Sequence, residues 1–379
     1  MQMYNIMTPG PTKVRENVRL ARSTETTNPD LDKEFYIYYK ETCTILSDIM
    51  QTKNAAYIMA GEGILGLEAA CASITEPGDR VLIIDNGVFG KGFADFVKIY
   101  SGETVSFVSD YERPIDSQEL RAFLEKDSDF KYATLVHCDT PSGVLNDIKT
   151  ICTLLDSYGI MTVVDSVAAM FGEYVNVDES KIDILCGGSQ KVISAPTGLT
   201  MVWVSDRAIK VMENRKTPIA SFYANILNFK NYYKDQWFPY TMPISDIKGL
   251  RIALENYLEE GNSNVIERHK KIGEATRKAV EQSGLELYLK DGYSNTVTVI
   301  KVPEGLTDRQ ILTTMRDKYN VMIAGSFDVM AGRVLRIGHM GENATRENMI
   351  ETMNALGRTM KDLGFPLKCD LTDAFLNAL

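Results

Sequence analysis

From about residue 33 to residue 300, short apolar runs alternate with stretches of helical periodicity, and this alternation sets the fold class. The runs Ala56–Met59, Arg80–Ile84, Thr104–Val108, Ala133–Cys138, Met161–Val164, Ile182–Cys186 and Thr200–Val204 read as strands. Between or after them, Lys33–Met50, Leu65–Ser73, Lys91–Tyr100, Ser117–Lys126, Asp147–Tyr158 and Ile244–Glu260 carry helical spacing. Strands alternating with helices predict an α/β fold, a large doubly wound and mostly parallel sheet covered on both faces. Ligands of such sheets bind beyond the carboxyl ends of the strands. Side chains that closely follow a strand are therefore the candidates for chemistry.

The chain has 379 residues, 44% of them hydrophobic, more than one ordinary compact domain holds. A long helical stretch from Ile244 to about Ser283 leads into a different texture. There Thr296–Val302, Val321–Ala324 and Arg333–Ile337 read as strands, and Thr307–Tyr319 and Ala344–Leu363 as helices. This predicts a large domain over residues 1–257, with an irregular N-terminal arm of about 30 residues, and a smaller α+β domain over 258–379. The net charge of −10 and the lack of a basic block argue against nucleic acid and anionic membrane surfaces as partners. The six cysteines form no CxxC pair and the three histidines lie far apart, so no metal site is expected. Scattered cysteines in apolar stretches suit a reducing compartment. With no leader pattern in Met1–Met7 and no apolar run of about 18 residues, the expected location is the cytoplasm.

Lys191 lies in the run Gly188-Ser189-Gln190-Lys191, boxed in by small residues after an apolar segment. A lysine head is expensive to bury, so one in such a place is held for its amine, which condenses with carbonyls. Alone, such a lysine is more often a snorkelling surface residue. Asp165, at the end of Thr162-Val163-Val164, changes that balance, because a Schiff-base lysine plus an acid for a pyridinium nitrogen is what pyridoxal 5′-phosphate requires. The turn Ala60-Gly61-Glu62-Gly63-Ile64 joins a strand to a helix, where backbone N–H groups and the helix end favour a phosphate. Glu62 is awkward there, and its side chain is expected to face the ring and substrate or to turn to solvent. Phe89, after Asn86-Gly87, suits offset stacking on a pyridine ring, although a core phenylalanine is the plainer alternative. Thr140, in Asp139-Thr140-Pro141-Ser142-Gly143, is placed to hydrogen-bond a ring hydroxyl or phosphate, if the segment is more than a turn. Arg336, within a small-domain strand, needs an anion: a substrate carboxylate, or a structural ion-pair partner. Arg333 competes with it for the first role.

In this order these pieces resemble the class V, fold-type I pyridoxal phosphate aminotransferases, and within them the alanine–glyoxylate and serine–pyruvate enzymes. The resemblance runs from Pro9-Gly10-Pro11 to Arg336-Ile337-Gly338 and Asn343-Ala344-Thr345. Its specific core is Asp165-Ser166-Val167 followed by Ser189-Gln190-Lys191. It implies that Lys191 carries the Schiff base, Asp165 pairs with the ring nitrogen, and Phe89, Thr140 and Val167 surround the ring. It further implies that Gly63, Ile64 and Gln190 hold the phosphate and that Arg336 takes the substrate carboxylate. Tyr240 and Thr241, in Phe238-Pro239-Tyr240-Thr241, match the segment that reaches a neighbouring subunit's phosphate, which implies a homodimer with shared sites.

Several turns are also similar to pyridoxamine–pyruvate aminotransferase, which treats the vitamer as a substrate and carries a glutamate where Glu62 stands. The chain departs from that enzyme at Ser189-Gln190, and from the alanine–glyoxylate enzymes around Glu62 and Ile64. The leading expectation is a pyridoxal phosphate-dependent transfer from a small amino acid to glyoxylate or pyruvate. The alternatives are pyridoxamine–pyruvate or 2-aminoethylphosphonate–pyruvate transfer. Cysteine desulfurase is disfavoured by Phe89 and by the lack of an evident exposed cysteine loop. A non-catalytic binding protein is disfavoured by the presence of both Lys191 and Asp165.

Overall fold

The computed structural model describes residues 4–379; Met1, Gln2 and Met3, where the leader reading begins, lie outside the described residues. The strands are β1 (Asn5–Ile6), β2 (Ala55–Ala60), β3 (Arg80–Asp85), β4 (Glu103–Val108), β5 (Tyr132–Val136), β6 (Cys138–Asp139), β7 (Val144–Leu145), β8 (Met161–Asp165), β9 (Ile184–Gly188), β10 (Leu199–Val204), β11 (Val297–Lys301), β12 (Val321–Met322) and β13 (Val334–Gly338). Seven of them form the main sheet in the order β2-β10-β9-β8-β5-β3-β4. Only β10 runs against its neighbours β2 and β9. Strands β5, β8, β9 and β10 are buried at every residue, which explains why they read as unbroken apolar runs rather than alternating ones.

The helices that matter for the site are α1 (Glu16–Arg22), α2 (Lys33–Ile49), α3 (Gly63–Ile74) and α4 (Val88–Ile99). Helix α3 follows β2, and α4 follows β3, so both begin at the carboxyl edge of the sheet. Each starts earlier than periodicity suggests, which puts Gly63, Ile64 and Phe89 in first helical turns rather than in loops.

Two apolar clusters form the core. The larger lies around the main sheet. The smaller includes Met7, Ile272, Ile300, Ile311, Leu335, Met353 and Phe375. The arm is more ordered than expected. It contains α1, and β1 pairs in parallel with β12, so the chain's start packs with its later third. The helical stretch after Ile244 is two helices, Ile244–Glu260 and Asn262–Gln282, interrupted at Gly261, whose φ of 89° is open to glycine. No helix among the described residues is long and apolar enough to cross a membrane.

Candidate active site

A cavity of about 350 Å³ opens at the carboxyl edge of the main sheet. Its lining includes Glu62, Gly63, Ile64, Phe89, Thr140, Asp165, Val167, Gln190 and Lys191. Nine of the sequence candidates therefore meet in one place. A second cavity of about 420 Å³ shares Phe89, Thr140 and Lys191 with the first and extends to Arg336. Arg333 lines neither cavity and is exposed.

Lys191 is fixed by the N-terminal arm. Its Nζ donates to the Pro9 carbonyl, and its own carbonyl accepts from the Thr12 hydroxyl at 3.0 Å. Gly10, with φ +99°, lies so close that a Cβ there would stand 2.5–2.7 Å from the lysine side chain. In the sequence these arm residues read as irregular chain and as the start of the resemblance, with nothing that shows their contact with Lys191. Burial, aided by the Arg336 charge, lowers the Lys191 pKa from 10.5 to about 8. At pH 7 about a tenth of the amine is thus neutral, against about one in three thousand for an ordinary lysine. Only the neutral amine attacks a carbonyl. The rate at which Lys191 is trapped by pyridoxal and borohydride should therefore rise about tenfold per pH unit below pH 8 and level off above it. A midpoint at the ordinary lysine value would contradict this.

Asp165 closes the floor of the cavity. Its Oδ1 accepts from Val167 N at 2.9 Å, and among the described residues no donor reaches Oδ2. Its carbonyl accepts from His137 N at 2.7 Å, and Ser166 Oγ lies 2.9 Å from His137 Nδ1, so the β5 and β8 ends hold each other. Burial raises the Asp165 pKa to about 7, a cost that a cation beside Oδ2 would remove. Phe89 stands in the first turn of α4, whose N-cap, Gly87, has no side chain to offer. Asp139 supplies the missing cap, its carboxylate accepting from Phe89 N at 2.9 Å and Val88 N at 3.3 Å. Asp139 and Gly10 are functional neighbours that local sequence reasoning misses, because each acts through a contact distant in sequence.

Arg336 is 8% exposed, and among the described residues it has no ion-pair partner. Its Nε donates to Gly325 O at 2.6 Å. The structural ion pair considered from sequence is therefore absent, and the guanidinium is left facing the second cavity.

Glu62 lines the cavity and at the same time caps α3. Oε1 accepts from Ile64 N at 3.1 Å, and Oε2 accepts from Gln190 Nε2 at 3.1 Å. The carboxylate thus sits on the helix end and the glutamine that were expected to hold a phosphate. Gly63 leaves no slack behind them, since a Cβ there would meet Val167 at 2.9 Å.

Tyr240 and Thr241 do not line the cavity of their own chain. The Tyr240 hydroxyl accepts from Ala60 N at 3.2 Å and its ring stacks on Tyr223 at 4.3 Å, while Thr241 is exposed. Five cysteines are buried thiols, but Cys369 is exposed, contrary to the expectation of no exposed cysteine loop; it lies before the helix Leu371–Ala378 and lines neither cavity.

The profile of class-V aminotransferases matches residues 26–339. This chain belongs to that family. It is 34% identical to pyridoxamine–pyruvate transaminase of Mesorhizobium japonicum over 88% of this chain and 86% of that one. It is 31% identical to serine–glyoxylate aminotransferase of Arabidopsis thaliana over 96% and 92%. The solved structure of ureidoglycine–glyoxylate aminotransferase from Bacillus subtilis superposes with a TM-score of 0.96 at 28% identity, covering 100% of this chain and 98% of that one. The chain is therefore a class V transaminase, of a family dependent on pyridoxal phosphate, with the fold-type I architecture.

The donor set fits one end of that group better than the other. A free Asp165 oxygen, a buried amine and the Phe89 ring suit the pyridine ring. At the phosphate end the Ile64 N–H is already taken by a carboxylate, and among the described residues the only cation lining that cavity is Lys191.

Proposed function

We propose that this aminotransferase takes its amino group from pyridoxamine lacking the 5′-phosphate and gives it to a small 2-oxo acid, yielding pyridoxal and an amino acid. The observation that carries this reading is the carboxylate of Glu62 on Ile64 N and Gln190. A phosphate brought to that place would meet a like charge, costing ~1–4 kcal/mol per unit charge at a surface-like dielectric. The uncharged hydroxymethyl arm of pyridoxamine meets no such repulsion, and the carboxylate accepts its O–H.

The pyridine ring, when bound, supplies an electron sink. In this reading Asp165 keeps the ring nitrogen protonated, Phe89 stacks on the ring, and Thr140 and Val167 bound its edges. Lys191 Nζ condenses with the carbonyl and carries the proton between the donor and acceptor carbons. Arg336 grips the 2-oxo acid carboxylate with its planar fork. Water balances: the amine of pyridoxamine condenses with the 2-oxo acid carbonyl and one water is lost, and hydrolysis that frees pyridoxal takes one water up, so the amino group leaves on the new amino acid. The proposal also keeps the homodimer, with Tyr240 and Thr241 reaching the neighbouring subunit, and the cytoplasm as its place of work. Exposed Thr241, Phe222, Tyr223 and Trp237 support the first of these.

The second reading is a small amino acid donor with a resident phosphate-bearing cofactor; the family supports it, and it requires Glu62 to leave the helix end. Spectroscopic titration separates the two. The native protein should bind pyridoxal at least about tenfold more tightly than pyridoxal 5′-phosphate, and Glu62→Ala should reverse that order. A native preference for the phosphate, unchanged in Glu62→Ala, would sink the proposal.

A further inference from the structure

We infer that Phe327 is the specificity-determining wall of the acceptor site, limiting it to 2-oxo acids with one carboxylate and a short apolar side chain. The inference rests on the reading that Arg336 binds the acceptor's carboxylate. Phe327 lies on the segment between β12 and β13, at the mouth of the second cavity. Two site residues hold its ring. The Phe89 ring meets it nearly perpendicularly, with centroids 5.8 Å apart and planes at 79°, and the Arg336 guanidinium carbon stands 5.6 Å from its centroid. Edge-to-face and cation–π contacts of this kind fix a ring's orientation as well as adding attraction. Yet the side chain is 44% exposed, so it is packed on one side and open on the other, as a wall at a mouth is.

The rest of the lining decides what that wall admits. Ile6, Met322 and Ala324 are apolar, and Lys191 and Arg336 are the only cations among the described lining residues. With Lys191 engaged at the reacting carbon and Arg336 on the first carboxylate, no cation remains for a second one. A dicarboxylic acceptor would have to leave its distal charge against Phe327 or Met322, which is costly away from water. An aliphatic side chain suits these surfaces until its length brings it against the Phe327 ring, itself unable to retreat without breaking contact with Arg336 and Phe89.

Binding of pyruvate, 2-oxobutyrate, 4-methyl-2-oxopentanoate and 2-oxoglutarate to the purified protein, measured by calorimetry, tests this without any amino donor. The native protein should bind 4-methyl-2-oxopentanoate and 2-oxoglutarate at least about tenfold more weakly than pyruvate. Phe327→Ala should bring 4-methyl-2-oxopentanoate to within about threefold of pyruvate and leave 2-oxoglutarate weak, and Phe327→Tyr should keep the native order. A Phe327→Ala order equal to the native one, or a native protein that takes the branched acid as tightly as pyruvate, would overturn the inference. Acceptor discrimination that follows Phe327 in a protein that does not turn over pyridoxamine would overturn only the donor reading. A binding order that does not depend on Arg336, checked with Arg336→Ala, would remove the shared premise.

Discussion

Lys191→Ala should lose at least about 10³-fold in turnover, the scale expected when one group serves both as nucleophile and as proton carrier. The fold should survive. The side chain is held by contacts to the N-terminal arm rather than by a core of its own, and removing an amine whose pKa burial already depresses relieves a desolvation cost. Circular dichroism should be unchanged, and pyridoxal should still bind, because Asp165 and Phe89 remain. Borohydride should no longer fix pyridoxal to the chain. Near-normal transamination by Lys191→Ala would remove the basis of the mechanism.

Arg336→Ala should produce the next largest effect. A buried charge-assisted pair lost from a binding site costs about 2–5 kcal/mol, so kcat/KM for the 2-oxo acid should fall by about 30-fold to several thousandfold. Pyridoxamine has no carboxylate, so its own binding should change only a few-fold. An amino acid donor shares the carboxylate with the acceptor, and both would then suffer equally. The melting temperature should hold or rise, since the native guanidinium is buried without an ion pair among the described residues. A fall of several degrees would mean that the arginine is structural.

The strands of the main sheet other than the mostly exposed edge strand β4 are legible in the sequence because each is buried along most of its length, leaving dense apolar runs bounded by turns. Helices α3 and α4 are legible only from their second turns. Their starts carry glycine rather than a recognisable periodic residue, and the cap of α4 is Asp139, some 50 residues further along the chain. Lys191 and Asp165 stand out because each follows an apolar strand. The arm at Pro9-Gly10 does not, since nothing local shows that it closes over a lysine 182 residues away. Glu62 is legible only in part. A carboxylate and a phosphate do repel, and sequence alone resolves that conflict by turning Glu62 away. The structure keeps Glu62 in place, held by Gln190 at a separation of 128 residues, a partner that only the folded chain reveals. Phe327 carries no motif at all; its place between Phe89 and Arg336 exists only in three dimensions.

The central claim is that the vitamer itself is the amino donor. Purified protein, dialysed free of cofactor, should be incubated with pyridoxamine and pyruvate, and pyridoxal and alanine quantified together. The account predicts that both appear in equal amounts over many turnovers without any added phosphate ester. No pyridoxal under these conditions, with brisk transfer from alanine or serine to glyoxylate once pyridoxal 5′-phosphate is supplied, would contradict it.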